Sequence, residues 1–166
     1  GRSVGIHWNF APVVDVNNNP RNPIINTRSF GEDPDQVSIY GKAYIHGLQD
    51  HGMLATAKHF PGHGDTEKDS HSSLAQIPSD ALRLWTIEIK PFTNVIRSGV
   101  DEVMVSHVHA PDYQFNADLP ATLSKFWVTD ILKDSLGFKG VVITDAMSMG
   151  GITNSYSDSY GLIAAV

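Results

Sequence analysis

The feature that most constrains this chain is its repeated alternation of short apolar runs with longer amphipathic ones. The apolar runs are Ile6–Val16, Met53–Lys58, Glu102–Ser106 and Gly140–Thr144. Each is rich in Val, Ile or Met and is bounded by turn residues, which predicts strands. Helices are predicted between them, over 35–51, 80–97 and 124–136. Pro34 can open the first and Gly52 can close it. Ser79 is a candidate N-cap for the second, Gly99 lies just past its end, and Gly137 closes the third. Strands alternating with helices mean βαβ units and a parallel sheet. About four such units fit part of a (β/α)8 barrel, whose complete form takes ~250 residues. A complete doubly wound domain is the competing architecture. Against it, no Gly-rich phosphate loop follows the first strand. The stretch Asn17–Pro23 reads as loop.

Composition narrows the function classes. The 166 residues are 41% hydrophobic and 18% charged, the balance of a folded globular chain. The net charge of -6 comes from scattered acidic residues, with no basic stripe for a nucleic acid. No apolar run reaches the ~20 residues of a membrane helix. Cysteine is absent, which excludes disulfides and cysteine-ligated metals. The chain starts Gly1-Arg2-Ser3 without initiator Met or signal peptide, and Leu162–Val166 reads as a starting helix. It therefore reads as an excerpt of a longer chain, and its compartment stays unassigned.

In parallel barrels, function gathers where strands end and loops begin. Three predicted strand ends are unusually polar. The first leads to Asp15 and then Arg28-Ser29-Phe30-Gly31. The second runs into Lys58-His59-Phe60-Pro61-Gly62-His63-Gly64-Asp65-Thr66, and the fourth ends in Thr144-Asp145-Ala146. An Asp placed like Asp145 either caps the next helix or serves as a nucleophile toward an anomeric carbon. The loop Gly62–Ser73 admits three readings: a metal site, a solvated polar loop, or a mobile catalytic loop with hinge glycines. In the third, Asp69 accepts from one nitrogen of His71 and leaves the other for proton transfer. Lys58 and His59 point to opposite sides of a regular strand, so both reach one ligand only if the strand bends near Pro61-Gly62. His107 is placed to line the rim, whereas His109 is an ordinary polar residue. Trp8, Phe10 and Trp85 are core candidates.

These residues together resemble glycoside hydrolase family 3, in its bacterial β-N-acetylglucosaminidase branch. The resemblance rests on Asn9-Phe10-Ala11-Pro12-Val13-Val14-Asp15-Val16, on Arg28-Ser29-Phe30-Gly31, and on the Lys58–Thr66 block followed by Asp69-Ser70-His71. It closes with Leu136-Gly137-Phe138-Lys139-Gly140 and Thr144-Asp145-Ala146-Met147-Ser148-Met149. The resemblance implies that residues 1–166 are the central part of a catalytic (β/α)8 barrel, with no second domain inside the chain. It implies Asp145 as nucleophile, Asp69 and His71 as acid/base dyad, and Arg28, Lys58 and His59 as sugar-binding residues; His107, from its place at the third strand's end, is a further substrate-binding candidate. It implies a carbohydrate substrate, a terminal β-N-acetylglucosaminide such as a muropeptide or chitooligosaccharide, and no cofactor or metal. The β-glucosidase branch takes its acid/base from another domain and lacks the Asp69-Ser70-His71 loop. The family's earlier acidic motif Asp-Gln-Glu-Gly-Gly is missing here. A β-glucosidase, a glycoside phosphorylase using phosphate in place of water, a metal hydrolase and a degenerate sugar-binding barrel remain as alternatives.

Overall fold

The computed structural model describes residues 1–71, 73–77, 80–113 and 119–156. Ser79 and Leu162–Val166 lie outside them. Four strands form one parallel sheet: β1 (Trp8–Asn9), β2 (Leu54–Phe60), β4 (Glu102–Val105) and β6 (Val141–Thr144), side by side in chain order. Two short strands, β3 (Ala75–Gln76) and β5 (Val108–His109), pair in parallel apart from it. Sequence patterning misses this second pair, because two-residue strands carry no period.

Helices cross between the strands. The first, α1 (Pro34–Gln49), has Pro34 in its first turn, and the Asp33 carboxylate caps it by accepting from the Asp35 N–H at 2.8 Å. The second crossover runs through α2 (Ala81–Arg83), a wide π-type turn Leu84–Glu88 and α3 (Ile89–Arg97). Its N-cap is Asp80, which accepts from the Arg83 N–H. Pro91 has no N–H to give the preceding turn, and the widened turns fall just before it. The third crossover is the π-type helix Phe126–Ser135, two residues shorter at its start than expected. Gly52, Gly99 and Gly137 stand at positive φ after these helices, as expected of helix stops.

The two faces of the sheet differ. Ala55, Ala57, Val103 and Val105 point toward the crossovers and are buried against Val37, Ile45, Phe92 and Val95. Phe60 sits edge-on to both Phe92 and Trp127. The alternate residues Leu54, Thr56, Lys58, Glu102 and Met104 face the other way. That inner face carries a polar row, Trp8 Nε1 to Thr56 Oγ1 at 3.0 Å and Thr56 Oγ1 to Glu102 at 2.6 Å. Trp85 is core-packed as expected, but Trp8 and Phe10 remain 40% and 49% exposed.

The first strand needs the largest correction. Of the expected Ile6–Val16, only Trp8–Asn9 is regular strand. Pro12 has no N–H to donate to a ladder. The segment still tracks β2 irregularly: Thr56 N–H reaches Ala11 O, Lys58 N–H reaches Pro12 O, and Val14 N–H reaches Lys58 O.

Candidate active site

The site is built around Asp15, which the irregular segment carries to the C-terminal end of the sheet and which is fully buried. Its carboxylate accepts from His59 Nδ1 at 2.7 Å, from the His59 backbone N–H, and from the His63 N–H at 2.7 Å. Burial opposes ionisation, but the charge and hydrogen bonds of His59 and His63 outweigh it and hold the carboxyl below its ordinary value. On the far side of the ring, His59 Nε2 lies 3.4 Å from Arg28 Nη2. Arg28 also donates to Ile24 O from the short 3-10 turn Asn26–Arg28.

Lys58 and His59 are brought to one site by a bulge inside β2. Lys58 pairs with Met104 and Phe60 with Val105, so two steps of β2 face one of β4. The bend expected at Pro61-Gly62 thus begins earlier, at His59. Burial pushes the Lys58 ammonium below its ordinary value and Arg28 adds to this, while Asp145 and Asp15 pull it up. Arg28, Lys58, Asp15 and Asp145 therefore share one electrostatic neighbourhood. Beside it opens a cavity of about 320 Å³ lined by Phe10, Pro12, Arg28, Phe30, Tyr44 and Lys58.

The loop after β2 divides in two. Pro61–Thr66 is buried, so a solvated loop does not describe it. Asn22 holds it from beneath, donating Nδ2 toward the carbonyls of His63, Gly64 and Thr66 while its Oδ1 accepts from the Ile24 and Ile25 N–H groups. Asn19 adds a bond to Asp65 O. Gly64 is no free hinge: a Cβ there would lie 1.7 Å from Val16 O. Arg83 pairs with Asp65 at 2.7 Å, and Asn18 donates to the buried Glu88 carboxylate under the turn. Burial raises the Glu88 pKa against the pull of Asn18 and Arg83.

The second half carries the expected dyad. His71 Nδ1 lies 2.7 Å from Asp69 Oδ1, which also accepts from the His71 N–H at 2.8 Å. Burial opposes ionisation of Asp69, but these two bonds and the imidazole outweigh it and lower its pKa. The side chains are 60% and 43% exposed. Among the described residues, no set of three or more His, Asp or Glu side chains converges as a metal site.

Asp145 follows β6 directly. Its N–H donates to Val105 O at 2.9 Å, and its carboxylate accepts from the Ala146 N–H at 2.8 Å. The chain then turns into α4 (Gly150–Thr153), whose first N–H groups hold the dyad loop: Gly150 N to His71 O at 2.9 Å and Gly151 N to Ser70 O at 3.0 Å. His107 is fully buried between them rather than open at the rim. It bonds Thr122 Oγ1 through Nδ1 and Ala146 O through Nε2. Burial lowers its pKa, and it feels both Asp145 and His71.

In the sequence Asp15 stands out only as a polar strand end, His63 and Ser70 only as members of the loop motif, and Asn22 only as part of the Asn17–Pro23 loop, none of them with a role. A buried carboxylate leaves no composition signal. The spacing of Asn19 and Asn22 in a Pro-rich loop was the available hint of a clamp.

A carboxylate at the C-terminal rim of a parallel barrel segment, with an imidazole–carboxylate pair docked on the chain behind it, defines a rim site of the kind that (β/α) barrels devote to catalysis. The chain belongs to glycosyl hydrolase family 3, whose N terminal domain matches residues 2–165. Beta-hexosaminidase A of Pseudoalteromonas piscicida is 39% identical over 165 residues, 93% of this chain and 28% of that protein. A beta-N-acetylglucosaminidase/beta-glucosidase of Cellulomonas fimi is 39% identical over 162 residues, 92% of this chain and 28% of that protein. The solved structure of a glycoside hydrolase family 3 beta-N-acetylglucosaminidase from Paenibacillus sp. str. FPU-7 matches with a TM-score of 0.96 at 44% identity, over 99% of this chain and 31% of that one. The chain thus spans less than a third of the length of these proteins. The chain is a parallel α/β segment of the family's barrel.

Proposed function

We propose that the protein to which this chain belongs is a retaining exo-β-N-acetylglucosaminidase, with Asp145 as nucleophile and Asp69–His71 as proton-transfer pair. The observation that carries this reading is the docking of the pair, at 2.7 Å Nδ1–Oδ1, on the chain that follows Asp145. Retaining hydrolysis needs a nucleophile on one face of the anomeric carbon and a proton donor at the leaving oxygen. In the first step an Asp145 oxygen bonds the anomeric carbon, the bond to the aglycone oxygen breaks, and His71 Nε2 gives that oxygen its proton. In the second, water attacks the same carbon, its proton returns to Nε2, and the Asp145 carboxylate leaves. Asp69 holds Nδ1 throughout, which fixes the ring and supports its charged form. Arg28 and Lys58, which line the cavity, and His59, which meets Arg28, are the sugar-binding groups. The natural substrate is a terminal β-N-acetylglucosaminide, of muropeptide or chitooligosaccharide type.

The test is kinetic. General acid catalysis typically contributes ~10²–10⁴-fold, so His71→Ala should cost about that much on a substrate with a poor leaving group. The glycosylation step should suffer far less with an activated phenol. Azide should rescue deglycosylation and yield a β-glycosyl azide. Equal losses on both substrates, without azide rescue, would make His71 a binding residue instead. Aryl N-acetyl-β-glucosaminide should be cleaved much faster than aryl β-glucoside; the reverse order moves the protein to the glucosidase branch. A sugar 1-phosphate formed on adding phosphate would make it a phosphorylase.

A further inference from the structure

We propose that His63 and Ser70 are positioning residues for the Asp69–His71 pair, the Ser70 hydroxyl latching the loop by donating to His63 Nε2. The inference rests on the proton-transfer reading of that pair. Ser70 stands between two side chains that are 43% and 60% exposed, yet is itself 2% exposed. It is the buried foot of an otherwise solvent-facing segment. Its Oγ lies 2.9 Å from Nε2 of His63, which is equally buried.

The direction of the bond follows from the neighbours. Thr66 Oγ1 lies 3.0 Å from His63 O and 2.6 Å from His63 Nδ1. A carbonyl only accepts, so the single Thr66 hydroxyl proton goes to His63 O. Thr66 then accepts from Nδ1–H, Nε2 is bare, and Ser70 is the donor. Burial drives the His63 pKa down to about 4, against the pull of Asp15 and helped by His59. Nε2 therefore stays an acceptor across the range in which an unperturbed histidine, at about 6.5, exchanges protons.

The latch is one end of a continuous chain. Arg28 meets His59, His59 and His63 both bond Asp15, and His63 bonds Ser70. The groups assigned to the sugar and the groups assigned to the proton are thus joined through a buried network. The Ser70 carbonyl, held by Gly151 N–H at 3.0 Å, fixes the same residue from the Asp145 side.

Four variants of the full-length protein test this: Ser70→Ala, His63→Gln, the double variant, and His71→Ala as reference. Each is assayed on a poor and an activated leaving group. Ser70→Ala removes one oxygen and should lower kcat on the poor leaving group about tenfold, the weight of one hydrogen bond in a transition state. Its rate on the activated phenol should change little, and KM should hold for both, which also reports a folded sugar pocket. His63→Gln should show the same pattern, and the double variant should be no slower than the slower single one. Equal slowing on both substrates, a raised KM, additive losses, or no loss at all would each overturn the proposal. If His71→Ala shows leaving-group dependence and Ser70→Ala does not, the latch alone falls. If His71→Ala shows none, the proton-transfer reading falls and takes the latch with it.

Discussion

Asp15 and His63 titrate in the fold in ways that bulk water would not allow, and both effects are measurable. Asp15 ionises below 3.8 in the fold, held there by His59 and His63. A carboxyl with a depressed folded pKa adds stability at pH above its unfolded value and loses it as pH falls through the folded one. Asp15→Asn should therefore destabilise near neutrality, by about 3–5 kcal/mol for a broken buried pair. Melting temperatures of wild type and variant should converge as pH drops below 3.8. His63 works the other way. Its folded pKa is about 4 against 6.5, so the unfolded chain takes the proton first. Stability is complete above pH 6.5 and falls as pH drops toward 4. Over that window the loss is roughly 3 kcal/mol, at about 1.4 kcal/mol per pKa unit. His63→Gln should flatten that part of the profile of melting temperature against pH. An unchanged slope would mean that His63 is not held neutral in the fold.

At the scale of elements, the site depends on where backbones touch. A Cβ at Gly151 would lie 2.9 Å from Ser70 O and 3.0 Å from the His107 Cβ. Gly151→Ala should push the dyad loop away from the Asp145 chain. We expect slower turnover on poor leaving groups with KM preserved; an unaltered rate would show that this docking does not position His71. Gly64→Ala is more severe, because its Cβ would meet Val16 O at 1.7 Å. It should abolish soluble expression.

The strands at Met53, Glu102 and Gly140 and the helix stops at Gly52, Gly99 and Gly137 were legible, because apolar runs and glycine stops are local signals. The dyad bond between Asp69 and His71 was legible too, since two residues in one loop need no tertiary contact to meet. The first strand was over-read because apolar content hid Pro12. The bulge at His59, the Asn22 clamp and the buried position of His107 were not legible. Each depends on contacts between segments that lie far apart in the chain.

The main sheet has four parallel strands in chain order, and among the described residues β1 and β6 are its unpaired edges. Its inner face leaves Trp8, Leu54 and Val141 at 40%, 43% and 52% exposure, and Val4 and Ile6 are 76% and 49% exposed. Exposed apolar surface beside open strand edges favours association. Residues 1–166 expressed alone should self-associate and bind a hydrophobic dye, whereas the full-length protein should not. A monodisperse, dye-silent segment would show that this face needs no cover. Among the described residues, no helix is long and apolar enough to cross a membrane. In the proposed reaction a covalent sugar forms on Asp145. Incubating the full-length protein with a mechanism-based fluorinated N-acetylglucosaminide and mapping the labelled peptide by mass spectrometry tests it most directly. One sugar, carried on Asp145, is the expected result, with no label in Asp145→Ala. A sugar on any other carboxylate, or turnover that survives Asp145→Ala, would contradict it.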